Sequence, residues 1–379
     1  MVFQIIFRLY VLSSILGLIL TYFGKTRPRA KLNGMTEPKE ADFYHALNIA
    51  CQADYSKLTK LRKRFGNWQK AWENTGSGKS DPGGISERLN GDNLKLILQD
   101  DPAYPKPLRE IPHPPFGIYV LGNKPEITAK DSIAIVGTRK ATPEGKTLAR
   151  QFAGKLAQAG LTVVSGLALG IDASAHEGCL AENGVAVAVL AGGLDRIYPR
   201  TNEMLARQIL ESGGWLISEY PPGTPILPYR FLERNRIVSG LARGILVVEA
   251  GLRSGSLATA RFATEQNRDV FVVPGPVKHP NYKGSNLLIR SGAELVTEPE
   301  QILEDWGLLA EENASEIRPD DEPEAVVILR ALLLGKSPLE IDKIAELTKL
   351  DTQTVSRTLS LLVLTDRINK SSLSYSPKK

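Results

Sequence analysis

Between residues 131 and 300 the chain repeats one pattern: a short apolar run, a loop, and a stretch with helical spacing. The apolar runs fall at Ile133–Val136, Thr162–Ser165, Val185–Leu190, Trp215–Ser218, Ile245–Glu249, Val270–Val273 and Glu294–Val296. Helical spacing marks Pro143–Ala159, Ala173–Asn183, Asn202–Ser212, Asn235–Leu241 and Leu257–Asn267 between them. Strands apolar on both faces need cover on both sides, and helices between them are the crossovers of a parallel sheet. The pattern therefore predicts an α/β domain with a doubly wound, mostly parallel sheet.

A chain of 379 residues has room for two or three domains. Ahead of the α/β part, Phe43, Leu47, Ala50, Leu58, Leu61, Phe65, Trp68 and Trp72 recur at helical intervals broken by Gly66, which predicts a small helical domain over 35–100. The stretch TGSGKSDPGG at 75–84 is a loop by composition, and its GSGK lacks the GxxxxGK[ST] spacing of a phosphate loop. The α/β domain takes 101–306, and an acidic, proline-containing linker takes 307–323. Over 324–379, helical runs at Ala325–Leu334, Pro338–Leu347 and Thr352–Leu362, a turn at Thr348–Leu350 and an extended run at Arg367–Tyr375 give a winged-helix-like outline.

Charge is informative only by position. The chain has 47 Lys and Arg against 42 Asp and Glu, a formal charge of +5. Residues 1–34 hold Arg8, Lys25, Arg27, Arg29 and Lys31 and no acid, so the other 345 residues are formally neutral. This leader is almost wholly apolar over 9–23. It reads as a membrane anchor, as a signal peptide lacking a cleavage site, or, the reading favoured here, as sequence upstream of a true start at Met35. The expected product is cytoplasmic, with membrane contact only if the leader is real. Cys51 and Cys179 cannot build a disulfide framework, and no His/Cys spacing suggests a metal.

Ligands of open α/β sheets bind beyond the carboxyl ends of the strands. After the first strand come Gly137, Thr138, Arg139 and Lys140: glycine for close approach of an anion, threonine as cap or donor, and Arg139 for a bidentate phosphate contact. The absence of GxGxxG argues against dinucleotide binding. Ser165, Gly166 and Gly170 form a second backbone cradle, with Asp172 as a helix N-cap and His176 as a hydrogen-bonded structural histidine. Ala191-Gly192-Gly193 leads to Tyr198-Pro199 as a turn that admits a ligand. Tyr229, Arg230 and Phe231 precede Arg234, Asn235 and Arg236, which open the next helix; this mixture of guanidinium groups and rings suits phosphates and stacked bases. Arg253 with Ser254, Gly255 and Ser256 at a helix start makes a further anion seat. The acids at strand ends, Asp172, Asp195, Glu219 and Glu249, are explained equally by caps and arginine partners. No nucleophile–base set and no carboxylate pair with a proton donor emerges, so no catalytic residue, metal or cofactor is expected. The loops read as built to hold an anionic polymer rather than to cut it.

The ordered segments IVGTR, VVSGLALGIDASAH, AVLAGGLDRIYP, LISEYPPGT, FLERNRIVSGL, VVEAGLRSGSLATA, VFVVPGP and GSNLLIRSGA closely resemble the DNA-processing protein A (DprA/Smf) family over roughly residues 100–300. The resemblance implies a Rossmann-like domain that binds single-stranded DNA, helps load the RecA recombinase during natural transformation, and forms homodimers. Gly137, Thr138 and Arg139 would grip phosphate, and Arg234, Asn235 and Arg236 would shape the DNA-facing pocket. Members often carry a lysine just before this Arg-Asn-Arg motif; here stands Pro228-Tyr229-Arg230, with Arg230 as the substitute. One alternative is a nucleotide-processing, phosphoribohydrolase-like enzyme, but EAGLRSGSLATA does not place a glutamate in register with the PGGxGTxxE pattern of that group. The other is a duplex-DNA regulator, for which Thr352–Leu362 offers only Arg357 beside Gln353 and Thr354.

Overall fold

The computed structural model describes residues 37–75, 82, 83, 85, 89, 93–122, 132–308, 322–334, 338–365, 367–371 and 374–377. The leader at 1–34, most of the loop at 75–84 and most of the acidic linker lie outside the described residues. There are two compact units, one ending at Pro299 and the other beginning at Glu300.

The first unit opens with three helices, α1 (Glu40–Ala50), α2 (Tyr55–Phe65) and α3 (Trp68–Thr75). It continues through β1 (Leu94–Leu98), α4 (Lys106–Arg109), β2 (Gly117–Leu121), β3 (Ser132–Val136), α5 (Pro143–Gln158), β4 (Thr162–Ser165), α6 (Ile171–Ala181) and β5 (Ala186–Val189). Then come α7 (Glu203–Glu211), β6 (Trp215–Ser218), α8 (Pro228–Gly240), β7 (Gly244–Val247), α9 (Gly255–Glu265), β8 (Asp269–Val272), α10 (Lys283–Arg290) and β9 (Glu294–Leu295).

The strands form one sheet in the order β1-β2-β6-β5-β4-β3-β7-β8-β9. β3 to β9 run parallel, whereas β2 pairs antiparallel with both β6 and β1. From β3 the chain steps outward through β4, β5 and β6, then returns to the other side of β3 with β7. The sheet is doubly wound, and its switch point lies between β3 and β7. All seven expected strands are present. Residues of β3, β5, β6 and β7 are buried throughout, because helices cover both faces.

The added strands were not expected. The helical region was drawn to residue 100, yet Leu94–Leu98 is β1, and the segment before the first expected strand contains β2. Both strands lie before the alternation of strand and helix that marks 131–300, so the pattern used to find strands passed over them. β1 joins the two parts of the unit: Ile97 belongs to the central core, while Leu96 and Leu98 pack against Phe43, Tyr44, Leu47, Leu58 and Trp68 of the helices.

Helix α11 (Pro299–Asp305) starts at the boundary, and the second unit continues with α12 (Pro323–Leu334), β10 (Leu339–Glu340), α13 (Ile341–Thr348), α14 (Thr352–Leu364), β11 (Ile368–Ser371) and β12 (Ser374–Pro377). Its sheet has the order β10-β12-β11, and Ile328, Leu329, Ile344, Val355, Leu359 and Tyr375 fill its core. Lys349 takes a left-handed conformation in the turn, and the Asp351 carboxylate caps α14 by accepting from Gln353 and Thr354 N–H. This is a winged helix, in which the start of the expected Pro338–Leu347 helix is strand. Among the described residues no helix is long and apolar enough to cross a membrane.

Backbones of α5 and α6 nearly touch at Gly178, where an added Cβ would lie 2.3 Å from the Arg150 carbonyl oxygen. Gly178→Ala is expected to destabilise the fold at the upper end of the ~1–3 kcal/mol typical of overpacking. Urea denaturation checks this; an unchanged midpoint would mean that the helices part freely.

Candidate nucleic-acid interface

Beyond the switch point, Thr138 N–H donates to the Glu249 carbonyl at 2.7 Å, and Ile171 N–H donates to the Thr138 carbonyl at 3.3 Å. A Cβ on Gly137 would lie 2.5 Å from Ile171 Cγ1 and 2.9 Å from the Glu249 carbonyl. Glycine stands here because the protein's own segments crowd it, not because an anion approaches. Glu249 is fully buried, and its carboxylate accepts from Thr142 N–H (3.0 Å), the Thr142 hydroxyl (3.3 Å) and Asn281 Nδ2 (2.7 Å). Thr142 caps α5, so an internal carboxylate already fills the anion seat at that helix start.

The loop after β4 is likewise tied inward. Ser165 is buried and its hydroxyl donates to the Ile135 carbonyl at 2.6 Å. Asp172 Oδ2 accepts from Gly166 and Ala168 N–H at 3.1 and 3.4 Å. Gly170 has φ +81°, and its Cβ position lies 2.3 Å from the Thr138 carbonyl, so only glycine fits. Ser165 and Gly170 therefore build the loop and present nothing to a ligand. Gly166 is buried too, but it borders the cleft described below.

Helix α8 starts at Pro228, a favoured residue at the first helical position. Arg234, Asn235 and Arg236 thus lie inside the helix rather than opening it, which corrects the expectation. Its two faces behave differently. On one, Arg230 is 3% exposed; Nη1 donates to the Pro225 carbonyl, Nη2 donates to the Gln52 carbonyl at 3.1 Å, and the guanidinium covers the Tyr220 ring at 4.9 Å. Arg236 forms a bidentate pair with Glu219 at 2.9 and 2.5 Å, while its Nε donates to the His113 carbonyl at 3.0 Å. Both guanidinium groups are consumed by the protein. Arg230 is therefore not placed as a substitute for a pocket lysine, and Arg236 is not placed to face DNA.

On the other face, Phe231 and Asn235 share the spacing of adjacent helical positions, and Arg234 lies between them and Arg230. Arg234 is 4% exposed; Nη1 donates to the carbonyls of Gly166 (2.7 Å) and Val189, and Nε has no partner. It makes no ion pair among the described residues. Burial lowers its pKa to about 10, with Asp172 opposing and Arg139 reinforcing the shift. Asn235 Nδ2 donates to the Gly255 carbonyl at 3.2 Å, tying α8 to the start of α9. There Ser254 caps the helix, and its hydroxyl lies 2.6 Å from that of Ser256.

Above Arg234 the half-buried Phe231 ring meets the Arg139 guanidinium at 4.5 Å and the edge of Tyr198 at 5.8 Å. These groups border a cleft lined by Gly166, Leu190, Ala191, Gly192, Arg196, Tyr198, Ile226, Phe231 and Arg234. Its walls mix backbone, apolar side chains and rings, and its charged groups, Arg196 and Arg234, are cationic. Arg139, Lys140, Arg196 and Arg253 are exposed, and none makes an ion pair among the described residues. Of the six cations expected to converge on this edge, Arg139, Lys140 and Arg253 reach solvent, whereas Arg230, Arg234 and Arg236 are buried. Tyr229 is exposed beside Arg230, away from the Phe231 face of the helix. Tyr198, Arg196 and Ile226 were not among the predicted site residues. Their signal was the glycine pair Gly192-Gly193, which marks the same sheet edge a few residues before Tyr198.

The remaining acids are structural: Glu219 holds Arg236, and Asp195 accepts from Gly223 N–H at 2.9 Å. His176 is fully buried, but neither ring nitrogen has a hydrogen-bond partner, contrary to the expected hydrogen-bonded role. Burial and, secondarily, Arg234 push its pKa down to about 3. Among the described residues no group of histidine, cysteine and acid side chains could hold a metal.

The family model for DNA recombination-mediator protein A matches residues 95–307, and that for the DprA winged helix domain matches 311–371. Protein Smf of Escherichia coli is 45% identical over 267 residues, covering 68% of this chain and 70% of that protein. DNA processing protein DprA of Bacillus subtilis is 38% identical over 226 residues, 60% of this chain and 75% of its own length. The X-ray structure of DprA from Streptococcus pneumoniae aligns with TM-score 0.56 and 31% identity over 71% of this chain and 94% of that one. A structure of DprA from Helicobacter pylori, described for its single-stranded DNA binding mode, aligns with TM-score 0.51 and 29% identity over 56% and 94%.

Two buried groups give predictions that need no ligand. Glu219→Ala strands the Arg236 charge and is expected to cost about 3–5 kcal/mol by urea denaturation. A Glu219→Leu/Arg236→Met pair should recover much of that loss. His176 stays neutral in the folded state while the unfolded chain takes up a proton near pH 6.5. Its contribution is therefore lost as pH falls from about 6.5 towards about 3, at up to ~1.4 kcal/mol per pH unit. Stability of His176→Leu measured across this window should fall less steeply than that of the wild type.

Proposed function

The chain belongs to the DNA recombination-mediator protein A family, and from that premise we propose that its cleft binds single-stranded DNA. The observation that carries this reading is the buried Arg234 guanidinium, which makes no ion pair among the described residues, beside the Arg139–Phe231–Tyr198 group. With Asp172 engaged by backbone N–H groups rather than ion-paired to it, this cation favours an anion at the cleft, and the rings offer a stacking surface that accepts any base. Arg139, Lys140 and Arg253, with the Ser254–Ser256 start of α9, would hold phosphates along the switch point. Thr138, Gly166 and Asn235 would shape the backbone beneath them.

The fuller role is a recombination mediator that helps load RecA onto incoming DNA during natural transformation, acting as a homodimer in the cytoplasm and without catalysis. The commitment of Asp172, Glu219 and Glu249 to internal hydrogen bonds supports binding over chemistry. The single cation of α14, Arg357, supports an accessory role for the winged helix rather than duplex reading.

Anisotropy titrations with an oligothymidylate across a salt series test the site. Arg139→Ala should lower affinity by about 1–3 kcal/mol and reduce the salt slope by about 0.7, the loss of one phosphate contact. Phe231→Ala should lower affinity by a similar amount through lost stacking but leave the slope unchanged. Wild-type affinity in both variants would overturn the assignment.

A further inference from the structure

The cleft occupies only part of the sheet's carboxyl edge, and a second cationic surface lies along the same edge. α2 reads YSKLTKLRKRF: Lys57, Lys60, Arg62, Lys63 and Arg64, with no acid. At ~100° per residue, Leu58, Leu61 and Phe65 fall on one side and join the apolar cluster of the helices. Lys63, Lys60, Arg64 and Lys57 spread over roughly 120° of the opposite side. Arg62 is engaged by Asp100 at 2.7 Å and lies over Trp68, and Lys57 is 3.7 Å from Asp54. Lys60, Lys63 and Arg64 are exposed and make no ion pair among the described residues.

Their position follows from strand direction. β2 is antiparallel to both β6 and β1, with Tyr119 opposite Ser218 and Gly117 opposite Leu98. β1 therefore ends at the same edge as β4, β5 and β6. Asp100 follows that end and pins α2 there through Arg62. The loop into α2 is fixed as well, because Arg230 of α8 donates to the Gln52 carbonyl next to the exposed Tyr229. From β5, which borders the cleft, to β1 there are three strand spacings, roughly 15 Å. A strand rising ~3.4 Å per nucleotide crosses that distance in four or five nucleotides.

We propose that the solvent face of α2, centred on Lys60, Lys63 and Arg64, is a second phosphate-binding surface that carries the same DNA strand onward from the cleft. This rests on the single-stranded DNA reading of the cleft. Ammonium and guanidinium groups on an exposed helix face bind phosphodiesters without regard to base, as the cleft does.

The test uses the full chain, its K60Q/K63Q/R64Q variant and Arg139→Ala, titrated with oligothymidylates of about six and about thirty nucleotides. The triple variant should bind the short strand as the wild type does. On the long strand it should bind about tenfold more weakly at low salt, with a salt slope reduced by about 2. Wild-type affinity and slope on the long strand would overturn the proposal, and so would equal weakening on both lengths. Arg139→Ala should weaken both lengths. If it weakens neither while the triple variant still fails on the long strand, the cleft reading falls, and with it the continuation of the strand from the cleft, while α2 stands as a phosphate-binding surface.

Discussion

A guanidinium group taken out of water must find oxygen atoms, and α8 carries three that are almost fully buried. Arg230, Arg234 and Arg236 obtain theirs from the carbonyls of Pro225, Gln52, Gly166, Val189 and His113 and from the Glu219 carboxylate. One helix is thereby bound to the N-terminal helices, to the ends of β4 and β5, and to the segment before β2. Apolar contacts could bury α8, but they would not fix which of its residues face the cleft. The fixed directions of these hydrogen bonds set its rotation, and that rotation puts Phe231 and Asn235 over the strand ends.

The same edge shows how the protein distributes charge. Glu249 and Asp172 are acids at helix starts and loops where an open α/β sheet often receives a ligand's phosphate. By filling those places from within, the fold leaves exposed cations and uncovered rings along this edge. Exposed and buried arginines thus differ in their partners, the buried ones clustered on α8 and the exposed ones in the loops around it.

The α/β architecture was legible because seven apolar strands alternate with helices, and that rhythm has few structural solutions. β1 and β2 were not, because they break the rhythm and because five-residue apolar runs look alike in a helix and a strand. The strand-end loops were found correctly, since their position follows from topology. Which arginines reach solvent was not legible: PYRFLERNR has no apolar period that would separate a buried from an exposed face. Pro228 was the available sign that the helix starts early. Gly137 was read as a place for a ligand when its space belongs to Ile171, a contact made by residues 34 positions apart and invisible to local pattern.

The antiparallel strands also change the shape of the edge itself. Neighbouring strands rotate by roughly 20–25°, so over the three steps from β5 to β1 the strand directions turn by about 60–75°. A polymer following these ends would track a twisted path rather than a straight one. Duplex DNA, with a persistence length near 50 nm, resists such a path, whereas an unpaired strand adopts it readily. Twist alone, with no side chain assigned to the task, would thus make this edge favour flexible over stiff nucleic acid.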